Sequence, residues 1–246
     1  MARLFPVQFY CSILGISNSG TTPPRVMKYT IASLLLIALS FLVPPCQAET
    51  PGLLDGRIEN NQYINEGLGW VMTIPPDWKV NTRDEIARIE GIGQNAIEKS
   101  YGEKIPPCHT PLLYLTRNAF NRFTSTAQMF YPKIDGTYRE NQDTLFAVVL
   151  QTFRDQGLNI RHARSHATLG GIRFETLHIT MFTPDGERII LRQIIYDALI
   201  NNRSLTLSLL YNNDQDKIAM LDAMKQSRFG TAEPSRLQRP PGCIGI

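Results

Sequence analysis

Four histidines could do chemistry: His109, His162, His166 and His178. His162 and His166, in "RHARSHA", lie four apart, the spacing of a zinc pair on a helix. The segment reads as extended, however, and carries no glutamate between the two rings. On a strand both rings share one face, but ~13 Å separates them at strand rise, too far for one ion. Cys108 and His109 would supply a nucleophile and a base, yet sequence neighbours rarely face each other. Ser165, His166 and Asp185 fit no triad spacing. No GxSxG elbow, phosphate loop or dinucleotide fingerprint occurs, and "GIGQN" lacks the strand–glycine–helix context of one. No catalytic, cofactor-binding or metal-ligating residue is therefore assigned, and no cofactor is expected. The remaining chemical feature is basic. "RHARSHATLGGIR" carries Arg161, Arg164 and Arg173 with two histidines, a patch for anionic headgroups or an acidic partner. Its other reading is a solvated strand edge, where charge discourages aggregation.

The elements that must position these residues begin after a leader. Residues 27–48 open with Lys28 and run without charge from Ile31 to Val43. They end in two prolines and "CQA", with small side chains at Cys46 and Ala48. Charged start, apolar middle and small-x-small end predict a secretory signal peptide cut between Ala48 and Glu49. The apolar run falls short of the ~20 residues that span a bilayer. An anchor formed by residues 31–43 and lipidation at Cys46 are the alternatives, the latter with prolines where a lipobox wants small residues. Residues 1–26 precede Met27, which opens the signal pattern directly, and read as an extension upstream of the true start.

The whole chain has 25 Lys plus Arg against 22 Asp plus Glu. Arg3, Arg25 and Lys28 precede Glu49 and no acid does, so the mature chain balances at 22 against 22. This excludes the basic footprint of a nucleic-acid binder. About 200 mature residues make one domain the default, here residues 49–229, followed by a Pro/Gly-rich, disordered tail over 230–246. Two cysteines remain after cleavage, Cys108 and Cys243. In an oxidising compartment a disulfide between them would tie the tail to the body; the alternative is two free thiols.

Hydrophobic periodicity sets the architecture. "QYINEGLGWVMTIPPDW" predicts a hairpin turning at "NEGLG" and stopped by Pro75 and Pro76. Residues 82–100 predict a helix capped by Thr82 or Asp84 and broken or loosened at Gly91 and Gly93. "LLYLTRN" and "FTSTAQMFYP" predict two strands. Leu145, Phe146, Val149, Leu150 and Phe153 make the apolar stripe of a long helix stopped at Gly157. A three-strand meander follows, with turns at "LGG" (169–171), "TPDG" and Asn201–Asn202, and with Leu205, Leu207 and Leu209 on one face and Thr206 and Ser208 on the other. A last helix spans 214–229, with Ile218, Leu221, Met224 and Phe229 near one side. Short turns between consecutive strands favour an antiparallel sheet, and the interspersed helices favour α+β layering.

Both tryptophans fall in the opening hairpin. Its pattern, with Tyr63, Asn65, Gly69, Trp70, Ile74, Pro75 and Trp78 in place, resembles the start of the PsbP-like family. That family includes the extrinsic photosystem II subunit and many exported bacterial PsbP/Mog-type domains. The resemblance covers a short motif closely and the rest of the chain in layout. It implies an antiparallel sheet flanked by helices, an α/β/α sandwich, and an accessory or binding role without chemistry. The photosynthetic role does not transfer, since no residue here identifies that complex. Trp78, just past the proline pair, reads as a hydrophobic plug.

Two functions are therefore expected from different classes. One is an exported, periplasmic, non-catalytic binding protein whose partner is an envelope protein or complex, with weak membrane association. The other is a small exported hydrolase, which requires a histidine, a carboxylate and a hydroxyl or thiol to meet in a cleft.

Overall fold

A computed structural model describes residues 55–104 and 108–230. The leader features expected at residues 1–26, 31–43, Cys46, Ala48 and Glu49, the tail from residue 231 and Cys243 lie outside the described residues.

The chain opens with β1 (Arg57–Glu59), β2 (Gln62–Asn65), β3 (Trp70–Thr73) and β4 (Lys79–Val80), then α1 (Arg83–Tyr101). β5 (Thr110–Thr116), β6 (Arg122–Met129), a single-turn α2 (Pro132–Asp135) and the long α3 (Tyr138–Asp155) follow. A meander of β7 (Asn159–Leu169), β8 (Ile172–Phe182), β9 (Ile189–Ile200) and β10 (Arg203–Tyr211) leads to α4 (Asp214–Lys225) and β11 (Arg228–Phe229). All pairing is antiparallel. The α+β expectation is met by two sheets, ordered β1-β2-β3-β11 and β4-β5-β6-β10-β9-β8-β7.

The turns follow their residues. Asn201 and Asn202 take φ of 51° and 58° between β9 and β10, as the asparagine pair predicts. Asn60 and Asn61 do the same between β1 and β2, at φ of 47° and 59°. Gly170 and Gly171 turn β7 into β8. That makes β7 a full strand and the meander four-stranded rather than three.

α1 corrects the expectation of a broken helix. Thr82 and Glu85 close a capping box, and Ile86, Ile89 and Ile97 are buried along one side. Burial of that stripe outweighs the ~1 kcal/mol that each interior glycine costs against alanine. α4 ends at Lys225, earlier than expected, so that Phe229 joins a strand. Its buried side is carried by Met220 and Met224, whereas Ile218 is 54% exposed.

The large sheet buries both faces. On one face Leu145, Phe146, Val149 and Phe153 of α3 and Ile97 of α1 pack on Leu177, Ile179 and Ile195. On the other, the small sheet and α4 cover Leu112, Phe123, Phe174, Leu205, Leu207 and Leu209. Alternation along β10 puts Leu205, Leu207 and Leu209 on one face, as expected, and that face meets the small sheet, while Leu210 packs on the α3 side. Thr206 and Ser208 lie on the opposite face, as expected, and are buried under α3.

The opening motif builds the small sheet. Asn65 accepts from the Leu68 backbone N–H (2.9 Å) and donates to Asp55 (3.0 Å), which sets the turn into β3. Trp70 is fully buried, edge-on to Tyr63 at 5.1 Å and stacked on Phe229 at 6.0 Å. Gly69 has φ +63°, and a Cβ there would lie 2.5 Å from the Gly230 carbonyl oxygen. Pro75 precedes a tight turn in which Trp78 donates its backbone N–H to the Pro75 carbonyl at 3.3 Å, and the Trp78 side chain is buried in the core. These residues pack, as a plug and its frame would.

Candidate functional site

The α3 face of the large sheet carries a polar cluster centred on Asp197. Alternation places Asp197 of β9 on the same face as its partners Glu175 of β8 and Thr206 of β10. The first turn of α3 lies over this row. Its start is fixed by a capping box between Thr137 and Glu140, and Phe130 meets the Tyr138 ring edge-on at 5.5 Å. Tyr138 and Gln142, one turn apart, then point the same way.

Four side chains donate to the Asp197 carboxyl. Thr206 Oγ1 (2.7 Å) and Ser204 Oγ (3.1 Å) reach Oδ1, while the Tyr138 hydroxyl and Gln142 Nε2 (3.0 Å) reach Oδ2. Asp197 is 1% exposed. Burial pushes its carboxyl above the ordinary carboxylate range, and the four donors partly hold it down. Burial, with the Asp197 charge second, pushes the Tyr138 phenol far up, so it stays a donor.

Beside this cluster opens a cleft of about 540 Å³, lined by Tyr138, Gln142, Asp197, Ala198 and Leu199 and by Arg139, Arg164, Arg173 and Glu175. That size suits a small ligand or a few side chains. Arg164 meets Asp143 of α3 at 2.6 Å and lies 4.9 Å over the Phe146 ring. Arg173 contacts Glu175 more loosely, at 3.4 Å. Arg139 sits in the first turn of α3, where the helix dipole disfavours a cation. Arg164 and Arg173 are balanced by Asp143 and Glu175, and burial pushes the third acid, Asp197, toward its neutral form, so Arg139 gives the cleft its cationic excess.

The predicted patch is therefore split. Arg164 and Arg173 share the cleft, while Arg161 points to the opposite face of β7, its guanidinium 4.7 Å over the Phe182 ring. An odd spacing along a strand forces that division. Arg139 and Asp197 were missed. Asp197 had a legible signal, a lone acid inside the apolar run "IIYDALI" of a strand; Arg139 had none.

Two other clusters hold the histidines. Ser165 Oγ meets Thr176 Oγ1 at 2.6 Å and His178 Nε2 at 3.0 Å on the small-sheet face of β7 and β8. Burial, and then the Lys217 charge, lowers the His178 pKa and keeps the ring neutral. Among the described residues no carboxylate bonds to His178. His109 Nε2 lies 2.6 Å from Glu90 of α1, whose other oxygen accepts from the Tyr114 hydroxyl. His109 is thus turned to Glu90 rather than acting as the base for Cys108, which is itself buried. His162 and His166 stand exposed on one face of β7. Among the described residues no three His, Cys, Asp or Glu gather where an ion could sit, and no helix is long and apolar enough to cross a membrane.

An antiparallel α+β body with its helices packed on the sheets is the class that this geometry defines. No family model matches the chain, and no curated protein matches it. Among solved structures it is similar to the solution structure of cyanobacterial PsbP (CyanoP) from Synechocystis sp. PCC 6803, with 9% sequence identity and a TM-score of 0.46. The match covers 71% of this chain and 98% of that one and is a likeness of fold alone.

Proposed function

We propose that the chain is an exported, non-catalytic binding protein that uses the arginine-lined cleft under α3 to hold an anionic partner in the envelope. One observation carries this reading. The cleft presents Arg139, Arg164 and Arg173, while Asp197, the acid beside it, has both oxygens engaged by the protein's own donors. A general acid or base needs a lone pair or proton within reach of substrate, and here those are spent on the scaffold. Arg139 is left for recognition, and Arg164 and Arg173 can exchange their exposed ion pairs with Asp143 and Glu175 for a ligand's anion. Export rests on the leader pattern of residues 27–48.

Affinity capture from the native envelope tests it, with the purified protein and an Arg139→Ala/Arg173→Ala variant as bait. A partner retained by the first and lost by the second is the expected result. An equal set of captured proteins with both baits would overturn the role of the cleft, and a mature form found in the cytosol would overturn export.

The hydrolase reading keeps one specific observation, the 3.0 Å contact of Ser165 with a neutral His178. No carboxylate among the described residues orients that ring, and orientation is what makes such a pair reactive. Turnover of activated esters that disappears in Ser165→Ala would revive it.

A further inference from the structure

We infer that β7 is a docking strand, to which an extended acidic segment of a partner protein adds as a further antiparallel strand of the large sheet. The inference deepens the binding reading above, by naming the partner's chemistry and its mode of capture.

β7 is the outermost strand of the seven-stranded sheet. It runs for 11 residues, and its exposure pattern leaves His162 through His166 in solvent. All its ladder bonds go to β8, so one side of its backbone meets no other strand among the described residues. An edge of this length is a template for strand addition. Its partner edge strand, β4, has two residues and offers no comparable row.

Charge decides what fits. β7 reads "NIRHARSHATL", with two arginines, two histidines and no acid. A second copy of the chain, pairing edge to edge, would set this cationic strand against itself, and like charges directly opposite destabilise a ladder. The C-terminal stretch of this chain fits no better. Residues 231–246 carry Glu233 against Arg236 and Arg239, and three prolines remove backbone donors that a strand must supply. An acidic partner is what complements the edge.

Register adds specificity. His162, Arg164 and His166 lie on the α3 face, and Arg173 of β8 lies on that face as well, next to Thr168. An incoming strand with acids at alternate positions would point them all to this row, its outer residues over the cleft. Its other side chains would meet Arg161 and Ala163 on the far face. Backbone bonds give such a complex its affinity and alternate side chains its choice of partner.

Synthetic peptides of about nine residues test this on the purified full chain, by calorimetry and by hydrogen exchange. The probes are an alternating Glu–Val peptide, its Lys–Val counterpart, the Glu–Val peptide with alternate N-methyl groups on its backbone, and free glutamate. The Glu–Val peptide is expected to bind, to protect amides of residues 159–169, and to weaken as salt screens the charges. The Lys–Val peptide should not bind, and N-methylation should weaken binding about tenfold or more, a change of about 1.4 kcal/mol. Arg161→Glu/Arg164→Glu should reverse the preference and bind Lys–Val, which also shows that the variant is folded. Binding that survives N-methylation, or amide protection elsewhere, would reduce β7 to an ion patch and overturn strand addition. No binding of any peptide would reduce its charges to protection of the edge. Either failure leaves envelope capture through the cleft arginines standing, so the two readings fall separately.

Discussion

The Tyr138 hydroxyl donates to Oδ2 of Asp197, joining the first turn of α3 to the middle of β9. The bond fixes the helix start above the sheet and forms one wall of the cleft. Tyr138→Phe removes the donor while Gln142 still serves the same oxygen. A loss of about 1–2 kcal/mol is expected, the usual cost of one buried hydrogen bond to an acid. Urea unfolding at pH 7 measures it, and an unchanged midpoint would mean that the contact does not hold the helix.

The raised carboxyl of Asp197 makes stability depend on pH in a specific direction. Between the unfolded value, ~3.9, and the higher folded one, the native state holds a proton that the unfolded chain has released. The slope is then negative, and stability conferred by the neutral acid is lost as pH rises through the folded value. Asp197→Asn removes this contribution. Thermal melts of the two proteins from pH 4 upward should show a wild-type decline that the variant flattens; parallel curves would mean that burial does not raise this group.

Gly69 is expected to tolerate no side chain. Gly102 has φ +74° with open space around it, whereas Gly69 combines φ +63° with a Cβ position 2.5 Å from the Gly230 carbonyl oxygen. Gly102→Ala should cost about 1 kcal/mol. Gly69→Ala should cost about 2–4 kcal/mol, because backbone must shift as well. Equal losses, read from denaturant midpoints, would refute the close approach of the two glycines.

The proposed leader cleavage and the proposed Cys108–Cys243 bridge have direct readouts. Edman sequencing of the protein recovered from the envelope should begin at Glu49, and an intact residue 27–48 segment would indicate an anchor instead. Peptide mapping without reductant should give a linked pair containing Cys108 and Cys243. Both cysteines alkylated without reduction would dismiss the bridge.

The layout was legible because its signals are local. Alternation in "RSLTLSLLY", the asparagine pair at 201–202 and the α3 stripe each act within a few residues, and each gave its element. The helix 83–101 was underrated because its glycines are a local cost, while the burial that offsets them comes from distant strands. The site was less legible for the same reason. Arg164 and Arg173 were singled out, but their meeting with Arg139 and Asp197 depends on which face each strand turns to α3. Alternation assigns Thr206 and Ser208 to the face opposite the leucines but does not say what covers that face. Here the second face is roofed by a helix, and the hydroxyls have been turned to Asp197 and Gln193.

The small sheet has its own lesson about timing. Three of its strands come from the beginning of the described chain, yet the fourth, β11, arrives after everything else and pairs with Trp70 and Val71. Gly230 then donates to Gly69 at 2.8 Å. Until residue 229 is available, the indole of Trp70 lacks its stacking partner and the hairpin has a bare side. A ribosome still holding residues 228–230 would thus hold back the final closure of the small sheet.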